Sequence, residues 1–175
     1  FRIMGASMPL FRPAMLATTV ALSLATNAQH PSDLAVQQMA SSPAYRVASQ
    51  FLDRDYDRFV DELITLTEVP APPFGEDARA LRFMELARAS GLHQVERDAE
   101  GNVLILRPGH GAGILAVAAH LDTVFPEGTD VTVQRDGTVL RAPGIGDNSQ
   151  GVAAMLALAR AMDYAMAQTT ASILF

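Results

Sequence analysis

Ile114-Leu-Ala-Val-Ala-Ala-His120-Leu-Asp122-Thr-Val-Phe-Pro-Glu127, followed by Ala142-Pro-Gly-Ile-Gly-Asp147-Asn-Ser-Gln-Gly151, is the stretch on which the fold of this 175-residue chain turns. Its first six residues are apolar without alternation, which predicts a strand covered on both faces and placed centrally in a parallel or mixed sheet. His120 and Asp122 follow directly on that strand, at the rim where open α/β sheets bind their ligands.

Working outward, Val131–Gln134 and Thr138–Arg141 surround Asp136-Gly137 and predict a hairpin between the two motifs. Val152, Met155, Leu156, Ala159 and Met162 then mark one face of a helix that Asn148 or Ser149 can cap. Ala171 to Phe175 reads as the start of another buried strand. Upstream, Gln94–Asp98 and Asn102–Arg107 flank a turn at Ala99-Glu100-Gly101. A helix fits Gly75 to Ser90, with Leu81, Met84 and Leu92 toward the core and Gly91 as its terminator. One or two helices fit Arg46 to Val69, where apolar residues recur at Val47, Phe51, Phe59, Leu63, Ile64 and Leu66 and Pro70-Ala-Pro-Pro stops the pattern. The expected fold class is therefore α/β.

Nearly half of the residues are apolar, enough for one domain with a sizeable core. All thirteen basic residues are Arg, against nineteen acids, so no basic stripe is available for a nucleic acid. With no Cys, disulfides, thiolate metal sites and a cysteine nucleophile are excluded. Arg12, an apolar run from Ala14 to Ala25 and small residues through Ala28 predict a signal peptide over residues 1–28. That run is too short to span a bilayer, so the processed chain is expected to be secreted or periplasmic without stable membrane insertion. Processing removes Arg2 and Arg12 and no acid, leaving a more acidic chain. Residues 29–43 are polar and aperiodic and predict a flexible leader, with the folded part over residues 44–175.

Imidazole nitrogen and carboxylate oxygen are the usual protein donors to a borderline divalent cation, which makes His120 and Asp147 candidate metal ligands. Asp122, two residues from His120 in extended chain, leans to the same side and suits a partner for the far ring nitrogen. Alone, His120 and Asp122 read equally as a polar rim pair, and Asp147 as a helix-capping residue. Gly144, Gly146 and Gly151 do not make a dinucleotide fingerprint, because the last spacing is wrong and a hairpin precedes them. His30, His93 and His110 read as solvated surface residues. Asp53, Asp55, Asp57 and Asp61 read as a solvated helix face.

Taken together and in this order, the two quoted motifs resemble the di-zinc exopeptidase and deacylase family that includes carboxypeptidase G, peptidase T, acetylornithine deacetylase and aminoacylase. The similarity extends from about Arg46 to Phe175. It implies a three-layer mixed sheet with helices on both faces, here as the truncated N-terminal portion of a catalytic domain. It also implies zinc, two ions in the complete protein, with His120 binding one, Asp147 bridging both and Asp122 orienting His120 as a catalytic residue. A cis bond is implied at Asp147-Asn148, where Asn148 stands in place of a second Asp found in many members. The family's Glu-Glu pair, carrying the general base and a further ligand, is expected soon after the strand that begins at Ala171.

These features together lead to the expectation of a fragment of a secreted zinc metallopeptidase, inactive by itself, acting on a peptide substrate and possessing a homodimeric complete form. A deacylase of N-acyl amino acids is the alternative within the family. A non-catalytic binding domain is the alternative outside it, should the chain truly end at residue 175.

Overall fold

The structure, a computed structural model, describes residues 31–175. The expected signal peptide, residues 1–28, and His30 lie outside the described residues. Where the leader was expected, Pro31–Ser41 is helical (α1), because Leu34-Ala-Val-Gln-Gln-Met-Ala40 is a run of mostly good helix formers; residues 32–41 are exposed. Ser42 then accepts a hydrogen bond from the Tyr45 amide, and Pro43 takes the first position of α2 (Pro43–Arg54). Helix α3 (Tyr56–Thr67) follows with Asp55 as the only joint, and ends before the proline-rich segment.

Helix α4 (Asp77–Ala89) closes through Gly91, whose φ is +83°. The Leu92 amide reaches the Ala87 carbonyl and the Gly91 amide the Arg88 carbonyl, the paired bonds of a Schellman end. Its buried stripe runs through Arg79, Ala80, Phe83, Met84 and Ala87. Met84 and Leu92 face the core as expected, whereas Leu81 lies off the stripe and is exposed.

Strands β1 (Val95–Arg97), β2 (Val103–Arg107), β3 (Ile114–Ala116) and β6 (Ser172–Leu174) form a sheet of order β1-β2-β6-β3. The β1–β2 and β2–β6 pairs are antiparallel and β3–β6 is parallel, so the sheet is mixed. Val95, Ile105, Ile173 and Phe175 pack in one cluster with Leu63, Leu66, Phe83, Leu156 and their neighbours from α3, α4 and α5 (Gln150–Tyr164). The architecture is α/β, a mixed sheet carrying helices.

The expectation for the first strand needs correction. The apolar run is a strand only over Ile114–Ala116, and it lies at the sheet edge with Ile114 67% and Leu115 57% exposed. Nothing among the described residues pairs with its outer edge, so a pattern suited to full burial is left bare. The inner place belongs to β6, between β2 and β3. In the separate hairpin of β4 (Gln134–Asp136) and β5 (Val139–Arg141), the first strand starts three residues and ends two residues beyond the expected Val131–Gln134, since Asp136 pairs with Val139 and Gly137, at φ +59°, opens a two-residue turn.

Arg160 of α5 is buried and bridges three elements. Its guanidinium meets Asp55 at 2.5 Å, Glu62 at 2.7 Å and the Ser90 hydroxyl at 3.3 Å, and Arg58 holds the other Glu62 oxygen at 2.9 Å. Asp55 is thus part of a half-buried ion network and not of a solvated face, unlike exposed Asp53, Asp57 and Asp61. Removing one partner of a buried pair leaves an uncompensated charge and costs about 3–5 kcal/mol. Arg160→Met should therefore lower the urea midpoint by that amount of stability, with an unchanged denaturant slope.

Candidate metal centre

The chain past β3 stays extended and irregular through Val117–Thr123, with the Val117 amide still bonded to the Leu174 carbonyl. This carries His120 and Asp122 beyond the strand end. Thr123 anchors the loop: its amide donates to the Ala71 carbonyl at 2.8 Å and its hydroxyl to the same oxygen at 3.2 Å. The segment after α3 therefore acts as a support for the histidine loop.

Asp147 comes from a kinked turn, Ile145–Ser149, that leads into α5; Asp147 (φ −133°, ψ 90°) and Asn148 (φ −135°, ψ 28°) are not helical. Gly144 precedes it at φ +75°, and a Cβ there would stand 2.5 Å from the Thr123 methyl. Two requirements thus meet at Gly144: a left-handed backbone and room for the loop that carries His120. At Gly151 a Cβ would fall 2.1 Å from Asn148 Oδ1, so the first turn of α5 needs glycine to let the Asn148 side chain fold over it. The Asp147-Asn148 peptide bond is cis, in accord with the resemblance.

The structure brings the three candidate residues together. His120 Nδ1 lies 3.0 Å from Asp122 Oδ1 and 3.0 Å from the Asp122 carbonyl, while Nε2 lies 2.8 Å from Asp147 Oδ1. Neither Asp147 nor Ser149 caps α5: Ser149 is itself helical at φ −54° and makes no side-chain cap bond, and its buried hydroxyl has no hydrogen-bond partner among the described residues. Asp147 is turned to His120 instead. Its side chain is 85% exposed and that of His120 48%, so the pair opens to solvent. An open cleft of about 670 Å³ lies beside His120 and Asp122, walled in part by Phe74, Phe83, Leu121 and Phe175. His93 and His110 are exposed and stand outside the site.

The donor set fits a divalent cation. With the ring proton on Nδ1, Asp122 accepts it and the Nε2 lone pair faces the Asp147 carboxylate. Two lone pairs 2.8 Å apart repel unless something positive lies between them, either a proton or a metal ion. A proton is favoured there: the hydrogen bond to Asp147 raises the His120 pKa above its ordinary value, desolvation opposes it, and the interactions with Asp122 add to the rise. Among the described residues no group of three or more His, Cys, Asp and Glu is arranged to hold a metal ion, so the site consists of the His120–Asp147 contact with Asp122 behind the imidazole.

A residue without a sequence signal joins this group. Arg79 of α4 is buried, and its Nη1 donates to the Leu121 carbonyl at 2.9 Å, between His120 and Asp122 in the chain. Arginine on a helix ordinarily reads as surface, and only its place on the apolar stripe with Ala80, Phe83 and Met84 could have marked it.

Residues 102–175, which contain both motifs, match the model of peptidase family M28. This stretch is similar to peptidase family M28. The M28 stretch takes in all four strands of the main sheet except β1, together with the hairpin, α5 and the three site residues; α1 to α4 precede it. Arg79 therefore reaches the candidate site from outside the matched residues. No curated protein matches the chain.

His120 should titrate above the usual histidine range in metal-free protein, and Asp147→Asn should lower that value, as followed by NMR of the ring protons. Because the folded value is raised, the resulting stabilisation is fully present below about pH 6.5 and lost as pH rises through the folded value. Gly144→Ala should destabilise the chain by about 1–3 kcal/mol. Adding Thr123→Ser, which removes the methyl, should recover the steric part and leave the backbone strain, as measured by thermal unfolding.

Proposed function

We propose that the chain is part of a zinc-dependent exopeptidase that hydrolyses peptide bonds in an extracytoplasmic compartment. The observation that carries this reading is the convergence of His120 Nε2 and Asp147 Oδ1 to 2.8 Å with Asp122 behind the imidazole. The match to peptidase family M28 over residues 102–175 supports a peptide substrate over an N-acyl amino acid. Zinc supplies Lewis acidity toward a scissile carbonyl and lowers the pKa of a bound water.

The chain's own residues have separate tasks. His120 Nε2 and the exposed Asp147 carboxylate are the groups that would hold the zinc. Asp122 holds the Nδ1–H, fixing the tautomer and raising the basicity of the donor nitrogen. The cleft beside His120 and Asp122 gives a substrate access to this side of the site. Binding and orientation are the functions proposed for His120, Asp122 and Asp147.

Export is supported by the charge and apolar pattern of residues 1–28, and a mature N-terminus at Gln29 is expected when the secreted product is sequenced.

Purified protein of residues 1–175 should bind zinc in calorimetry, with Asp147→Ala weakening binding by about 10-fold or more, and should leave peptides uncleaved. Wild-type protein indifferent to zinc would overturn the metal assignment. Zinc-dependent peptide turnover abolished by Asp147→Ala would overturn the division of tasks.

A further inference from the structure

Arg79 is only 1% exposed, yet its guanidinium meets backbone carbonyls instead of a carboxylate in contact. Nε and Nη2 both reach the Val69 carbonyl, at 3.0 and 2.7 Å, Nη2 reaches that of Thr67 at 3.4 Å, and Nη1 that of Leu121 at 2.9 Å. A buried charge needs compensation, and here three carbonyl dipoles supply it by direct contact while the Asp122 carboxylate acts at longer range. Burial depresses the pKa of the group and Asp122 opposes that shift, the guanidinium remaining charged in any case.

Leu121 is the residue between the proposed ligand and its orienting carboxylate. Its carbonyl lies in the plane of the Leu121–Asp122 peptide, so a bond to that oxygen limits rotation of the plane and sets where Asp122 starts. The other side of the loop is held by Thr123 on the Ala71 carbonyl. Both attachments lead back to the segment Val69–Ala71.

We propose that Arg79 is a positioning residue of the metal centre, holding the Leu121 carbonyl so that Asp122 meets His120 Nδ1. The metal consequence rests on the reading of His120 as a ligand; the geometric one does not. A purely structural arginine, joining α4 to the end of α3, would also be buried and bonded to Thr67 and Val69. What separates the two is coupling to Asp122.

The test uses the full 175-residue chain with Arg79→Met and with Arg79→Lys. Lysine keeps the buried charge but lacks the planar fork that spans separate carbonyls. Circular dichroism establishes that each variant is folded, and the lysine variant carries the test where the methionine one is not. In metal-free protein, the ring ¹⁵N signals of neutral His120 should lose their preference for Nδ1–H, moving toward those of Asp122→Ala. In calorimetry with zinc alone, Arg79→Lys should bind about 10-fold more weakly than wild type. Arg79→Lys combined with Asp122→Ala should bind no more weakly than Asp122→Ala by itself, since both changes remove one orienting interaction.

Additive losses in the double variant, or unchanged ring signals in a folded Arg79→Lys protein, would overturn the proposal while leaving the metal reading intact. Wild-type protein that ignores zinc but whose His120 signals shift in Arg79→Lys would sustain the positioning role and remove the metal reading.

Discussion

Ile114–Ala116 lies parallel to Ser172–Leu174, and a parallel pair cannot be closed by a tight turn. The chain must leave the end of β3, cross the sheet and return to its start. The three candidate residues lie on that crossover, which comprises the histidine loop, the β4–β5 hairpin, the glycine turn and α5. Its outgoing end supplies His120 and Asp122, and the turn before the return helix supplies Asp147. The two motifs, 27 residues apart between His120 and Asp147, meet because β3 and β6 are neighbours and α5 must pack back on the face occupied by Val95, Ile105 and Ile173.

The site was legible because its chemistry is local. His120 and Asp122 are two residues apart, so their contact is made within one short segment, and the glycines around Asp147 announce a close approach before its partner is known. Helices with a clear stop were legible for the same reason, as at Gly91 and at Pro70-Ala-Pro-Pro. The place of β3 was not, because an apolar run records what a strand is suited to and not what lies against it among the residues described. The start of the hairpin shifted because Asp136-Gly137 offers two possible turn registers, and the choice depends on which residue pairs with Val139.

The arginines show another limit of sequence reading. With no lysine in the chain, every cation has the same identity, and composition alone treats them alike. Arg160 and Arg79 are both buried, but the first is met by Asp55 and Glu62 and the second by backbone carbonyls. Their partners in space are as many as 105 residues away in sequence. No short window contains both halves of such a contact.

Thr123 has a consequence for the thermodynamics of binding. Its amide and hydroxyl are spent on Ala71, its methyl lies where Gly144 leaves room, and it adjoins Asp122 in the chain. Three loops that would otherwise fluctuate independently share this one point of attachment. The entropy lost in bringing their side chains together is therefore charged to folding, and an incoming ion or substrate meets groups whose translational freedom has already been removed.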